Sequence, residues 1–167
     1  MSELKRNVNA GHGELSFGIK DNNIVFKYGP MSLSIRLIDG TFPDITHVLP
    51  KESENKSFAQ KDVLVQSLKF VSLFANPKTN NVRLSLSEEG LDLYATDPDR
   101  GEGKKLVPVQ YSGPPVKAGY NYKYLLDVLN VLDGDEVSIE IIDTLSPTLI
   151  RDTNRNEGLF VVMPMRL

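Results

Sequence analysis

The chain has no cysteine and no tryptophan among its 167 residues. Without thiols there can be no disulfide framework and no thiolate metal site, so stability must come from a packed core. Histidine is almost absent as well. His12 lies in Gly-His-Gly and His47 between two prolines, and neither has a second His at metal-ligand spacing. No apolar run approaches the roughly 20 residues that a membrane helix needs. The first fifteen residues also lack the apolar centre of a signal peptide, so a cytoplasmic location is expected. Excess positive charge is missing too. A net charge of −3 argues against gripping nucleic acid over the whole surface, though it leaves room for DNA on one face.

Signals of catalysis are equally sparse. There is no Gly-x-Ser-x-Gly elbow, and Gly11-His12-Gly13 and Gly101-Glu102-Gly103 are too short to cradle phosphate. Asp97-Pro-Asp-Arg-Gly-Glu superficially resembles a calcium loop. The position that should hold its bidentate Glu is Pro108, so a solvated turn is the better reading. Asn55-Lys56-Ser57 has glycosylation spacing without a secretory context.

What the sequence does contain is alternation. With 40% hydrophobic and 25% charged residues the chain has globular proportions. Leu15, Phe17 and Ile19 alternate with polar neighbours, as do Ile24, Phe26 and Tyr28, and then Leu33, Ile35 and Leu37. Asp21-Asn22-Asn23 and Gly29-Pro30 separate them, which predicts a three-stranded meander. Residues 39–56 have no usable period and read as a linker. From Ala59 to Ala75 the period becomes helical, with Leu64, Leu68, Val71 and Ala75 on one stripe. Strands are predicted at 82–86, 91–95, 104–111 and 116–118. A second helix is expected over 121–132, with strands at 137–142, 148–151 and 159–163. Strand, helix, three strands thus occurs twice after Ser57, an internal repeat. Residues 1–38 fit the end of a third copy if Ser2–Val8 is the tail of a helix. The expected fold class is α+β, with two helices on one face and antiparallel sheets on the other.

Three segments resemble one family. Arg36-Leu-Ile-Asp-Gly-Thr-Phe-Pro-Asp with Val48-Leu49-Pro50 resembles the crossing from the second to the third domain of bacterial sliding clamps, the beta subunits of DNA polymerase III. Tyr124-Leu-Leu-Asp-Val-Leu and the terminal Val161-Val-Met-Pro-Met-Arg-Leu167 resemble that family's last helix and last residues. The resemblance runs in family order over nearly the whole chain. It implies the sliding-clamp fold, with residues 1–46 as the end of the second domain plus linker and 47–167 as the third domain. It also implies a non-catalytic role. The family's head-to-tail dimer encircles duplex DNA and tethers the polymerase, and that topological mechanism calls for no metal or cofactor.

The resemblance carries over a pocket that takes short Gln and Leu-Phe peptides of polymerases, the clamp loader and repair proteins. Its matching positions are Pro43, Val48, Val161, Met163, Pro164, Met165, Arg166 and Leu167, with Asn121, Tyr124, Leu145 and Pro147 alongside. Read from the residues alone, Val161, Met163 and Leu145 would be core strand positions. Arg6, Gln66, Lys69 and Lys123 are the candidates for facing DNA, although Lys123 and Asp127 also form an ordinary i,i+4 pair. Leu73 and Phe74 fall outside the core stripe, and the matching family positions lie at the subunit interface. Lacking the first domain, the chain by itself is not expected to encircle DNA. The alternative is a stand-alone, clamp-like peptide-binding or decoy fragment.

Overall fold

Alternating side chains build the first part of the chain. The computed structural model describes residues 6, 8, 13–41, 55–154 and 158–166. It divides into two compact units, residues 1–44 and 45–167.

In the first unit, β1 (Leu15–Lys20), β2 (Asn23–Tyr28) and β3 (Met31–Arg36) form one antiparallel sheet in sequential order. Asp21 at φ 53° and Gly29 at φ 55° turn the chain between them, the left-handed conformation that tight hairpins require. The register stacks Phe17, Phe26 and Leu33 across the three strands. Arg6 and Val8 have helical backbone. The remainder of the predicted helix tail lies outside the described residues.

The second unit contains β4 (Lys56–Gln60), α1 (Lys61–Ser72), β5 (Asn81–Ser87), β6 (Gly90–Asp97), β7 (Gly101–Val107) and β8 (Val109–Gln110). β9 (Val116–Asn121), α2 (Tyr122–Val131), β10 (Glu136–Glu140), β11 (Thr148–Asp152) and β12 (Leu159–Val162) complete it. Both sheets are antiparallel, in the orders β12-β11-β10-β4-β8 and β7-β6-β5-β9. The two repeats therefore interlock. Strand β4, which leads the first repeat, joins the three strands of the second, and β9, which leads the second, joins the three strands of the first. Neither repeat finishes its sheet alone.

The helices pack against each other and against the sheets. Leu64, Leu68, Val71, Leu125 and Leu129 meet Leu84, Leu91, Leu93, Val137 and Ile139 in one buried core. Tyr120 of β9 hydrogen-bonds Thr148 of β11 inside it, tying one sheet to the other.

Three expectations need correction. Ala59 and Gln60 belong to β4, because Ala59 pairs with Val137 and Val109 across the sheet. The helix begins at Lys61 and ends at Ser72. The single strand expected over 104–111 is two strands in different sheets, broken at Pro108, which has no N–H to continue a ladder. The linker expected over 39–56 gives up Lys56 to β4, and its residues 42–54 lie outside the described part.

Candidate peptide-binding site

The chain's last described residues leave one sheet and are caught by the other. β12 ends at Val162, and three residues later the Met165 N–H donates to the Gly119 carbonyl of β9 at 2.7 Å. Residues 163–165 therefore cross from the edge of the β10–β12 sheet to the edge of the β5–β9 sheet. Helix α2 starts beside this crossing because Asn121 caps it. Its side-chain oxygen accepts from the Lys123 N–H at 3.0 Å, satisfying one of the helix's open donors. One turn along, Tyr124, Asp127 and Val128 share the helix face at i, i+3 and i+4.

Those three side chains, with Val161, Val162 and Met163, line a cavity of about 400 Å³. Its wall is almost wholly apolar. Tyr124 is 60% and Met163 56% exposed, so Met163 is not the core residue that strand position alone suggested. Large apolar side chains held open to water beside a concavity suit an apolar ligand, and a thioether adapts to varied shapes.

The other predicted pocket residues spread around this centre. Leu145 stands exposed at the tip of a turn, where the Asp143 carboxylate accepts from the Ser146 hydroxyl and from the N–H groups of Ser146 and Leu145. The Ser146 hydroxyl and then the backbone donors hold the Asp143 carboxyl below its ordinary range. Pro147 and Pro164 are half-buried and Arg166 exposed. Pro43, Val48 and Leu167, like His12 and His47, lie outside the described residues. Asp127, Val128 and Val162 were not foreseen in the lining. Their signal was the helical spacing from Tyr124 and the neighbour of Val161.

Gln66 and Lys69 on α1 and Lys123 on α2 are exposed, as is Arg6 in the first unit. The Leu73 and Phe74 expectation divides. Leu73 is 64% exposed, whereas Phe74 is half-buried against the core and edge-on to Phe70, with ring centroids 5.8 Å apart. Gly103 of β7 makes this possible, since a Cβ there would run into the Phe74 ring.

The Asp97 turn is structural. Asp97 is buried and accepts from the Asn76 amide and the Asp99 N–H. Among the described residues no three metal-ligating side chains cluster, and no helix is long and apolar enough to cross a membrane. Burial pushes the Tyr120 hydroxyl up to about 12, against the opposing effect of its Thr148 hydrogen bond and with a smaller contribution from Asp143.

Interlocked repeats sharing one core define an α+β module of paired helices and antiparallel sheets, with an apolar groove beside its second helix. The family model of the DNA polymerase III beta subunit, C-terminal domain, matches residues 46–166. The chain belongs to that family, the bacterial sliding clamps. It is 36% identical over 165 residues to the beta sliding clamp of Escherichia coli K12, covering 99% of this chain and 45% of that protein. The clamp of Pseudomonas aeruginosa is 31% identical over 165 residues, with the same coverage. Among solved structures, a P. aeruginosa DNA polymerase III beta subunit superposes at TM-score 0.83 with 31% identity, over 99% of this chain and 46% of that one. A P. aeruginosa clamp bound to griselimycin superposes at 0.80 with 31% identity, over 99% and 45%. The fold is thus the sliding clamp's, and the chain spans about half the length of its curated relatives.

Proposed function

We propose that the chain is the C-terminal portion of a replicative sliding clamp, comprising the end of its second domain and its third domain. In the full-length, head-to-tail dimeric ring, duplex DNA is encircled and the polymerase is tethered. The role is non-catalytic and cytoplasmic: tethering depends on topology, and sliding depends on phosphate contacts that read no bases. Gln66, Lys69 and Lys123 on the helices, with Arg6, are the side chains assigned to face DNA. Leu73 is assigned to the subunit contact, with Phe74 behind it as support.

The groove of Tyr124, Val161 and Met163 is the partner site. It takes the Leu-Phe side chains of polymerase, clamp-loader and repair peptides, with Asn121, Leu145, Pro147, Pro164, Met165 and Arg166 around it. Pro43, Val48 and Leu167 are assigned to the same site from family position. The observation that carries this reading is the apolar exposure of Tyr124 and Met163 beside that cavity, in a chain of this family. A griselimycin complex of a related clamp supports a ligand-accepting surface in the fold.

Fluorescence anisotropy with a labelled Gln/Leu-Phe peptide tests the assignment. Binding should be measurable and should fall on deletion of Met165–Leu167. An unchanged affinity after the deletion would place the site elsewhere. A second reading, a stand-alone peptide-binding or decoy fragment, needs only the exposed apolar groove beside Tyr124 and Met163. It keeps the groove and drops the ring.

A further inference from the structure

Arg83 of β5 alternates with the buried Val82 and Leu84 and so stands on the outer face of its sheet, half-buried. Its guanidinium lies over the Tyr94 ring, 4.5 Å from the centroid, and the Tyr94 hydroxyl in turn donates to Glu102 at 2.8 Å. Among the described residues the ion pairs join Glu140 to Lys56 and Arg151, and Asp92 to Lys104, so no carboxylate neutralises Arg83. Its Nε–H is buried without an acceptor, and Asn81 Oδ1, two residues back on the same face, is buried without a donor. Polar atoms left in that state cost stability. Both residues line a cavity of about 290 Å³, with Asn76, Thr79 and Thr96. An uncompensated guanidinium among amides and hydroxyls suits a carboxylate, which a planar fork of donors recognises well.

A row of paired residues leads from this cavity to the groove. Arg83 pairs with Gly119 of β9, and Gly119 bridges to Met165 of the crossing segment. Residues paired across a sheet project to one face, so Arg83, Gly119 and Met165 form a single row whose middle carries no side chain. The next row is Asn81 and Asn121, and Asn121 is the α2 cap, one turn before Tyr124. Two strand spacings of about 4.8 Å put Met165 roughly 10 Å from Arg83, the span of about three extended residues. We propose that a partner peptide seated in the groove continues over Gly119 and places a carboxylate on the Arg83 guanidinium. The proposal rests on the groove being the partner site and adds the partner's charge: an acidic residue about three to five positions outside the Leu-Phe pair. A peptide suits the cavity better than a free carboxylate ion does. The site lacks an acceptor for Arg83 and a donor for Asn81, and an extended peptide brings both, a carboxylate and a backbone N–H, whereas the ion brings acceptors only. Turning the guanidinium and the amide toward such a peptide relieves both unpaired atoms.

Anisotropy with a stepped set of labelled peptides tests it. Each peptide carries the Gln/Leu-Phe motif and a single Glu, moved outward from the motif on either flank, and is compared with the same peptide bearing Gln at that place. The chain's net charge of −3 disfavours added negative charge in general, so a gain from Glu has to come from a local cation. The wild type should bind the Glu form about three- to tenfold more tightly at one or two adjacent steps on one flank only. Arg83→Gln should bring the ratio at those steps to about one, and Arg83→Lys, which keeps the charge but loses the fork, should retain part of it. Each ratio is read within one protein, so a general weakening of a variant does not imitate the effect. If the motif binds while no Glu step gains affinity, the inference fails and the groove stands. A gain spread evenly over both flanks, or one that survives Arg83→Gln, overturns the inference in the same way. If no peptide binds at all, the groove and the inference fall together.

Discussion

The two units of this chain are made of the same kinds of strand, yet they differ in what their apolar faces meet. In the second unit, strands β5 and β6 alternate as regularly as β1 and β2 do, and their inward side chains are fully buried. In the first unit the apolar side chains of β1, Leu15, Phe17 and Ile19, are exposed. The difference lies in the second layer and hardly at all in the strands: the two interlocked repeats of the second unit cover each other's apolar faces. Sheet propensity makes the elements, and burial against a second layer makes them stable.

Substitutions should expose that contrast, beginning with the largest effect. Leu93→Ala removes a side chain with no exposure at all and should cost about 3–4 kcal/mol of the second unit's stability by urea unfolding. Alkaline pH comes next. The Tyr120 hydroxyl has an ordinary value of 10 and is raised to about 12 in the folded state. Between those values the unfolded chain has released this proton while the folded one keeps it, so stability falls as pH rises. The loss should reach roughly 2–3 kcal/mol by about pH 12. Tyr120→Phe should flatten that slope relative to wild type, at a cost near neutrality of about 1–2 kcal/mol for the unpaired Thr148 hydroxyl.

Smaller changes refine the comparison. Gly103→Ala drives a methyl into the Phe74 ring and should cost about 1–3 kcal/mol. If the ring instead swings free, Phe74 becomes the exposed residue that its sequence position suggested. Asn121→Ala removes the α2 cap and should cost about 1 kcal/mol, read by thermal unfolding. Phe17→Ala in the first unit should change monomer stability by less than about 0.5 kcal/mol, because its ring is already in water. A core-sized loss there would erase the distinction between the units.

Local pattern made much of this legible. Period-two alternation located β1 to β3 and β5 to β7, and the Leu64, Leu68, Val71 stripe located α1. The errors arose where long-range pairing decided. Ala59 continues the helical stripe by spacing, yet its backbone bonds go to β10 and β8, which no local window contains. Pro108 was visible, but that it moves the chain from one sheet to the other depends on the interlocked topology. Phe74 falls outside the stripe by spacing yet packs partly against the core, because the space it fills exists through Gly103, 29 positions later in the sequence. For the groove, Tyr124, Val161 and Met163 were legible through family resemblance. Asp127 and Val128 became visible only once α2 stood against the crossing segment.

The C-terminal crossing and α2 are proposed to form the partner site together. The most direct measurement is an amide chemical-shift titration of the isotope-labelled chain with a Gln/Leu-Phe peptide. The largest shifts should fall at Tyr124, Asp127, Val128 and residues 161–163, with Gln66 and Lys69 on α1 and the β1–β3 strands unmoved. Saturable shifts concentrated on α1 or on the first unit, with 161–163 silent, would contradict it.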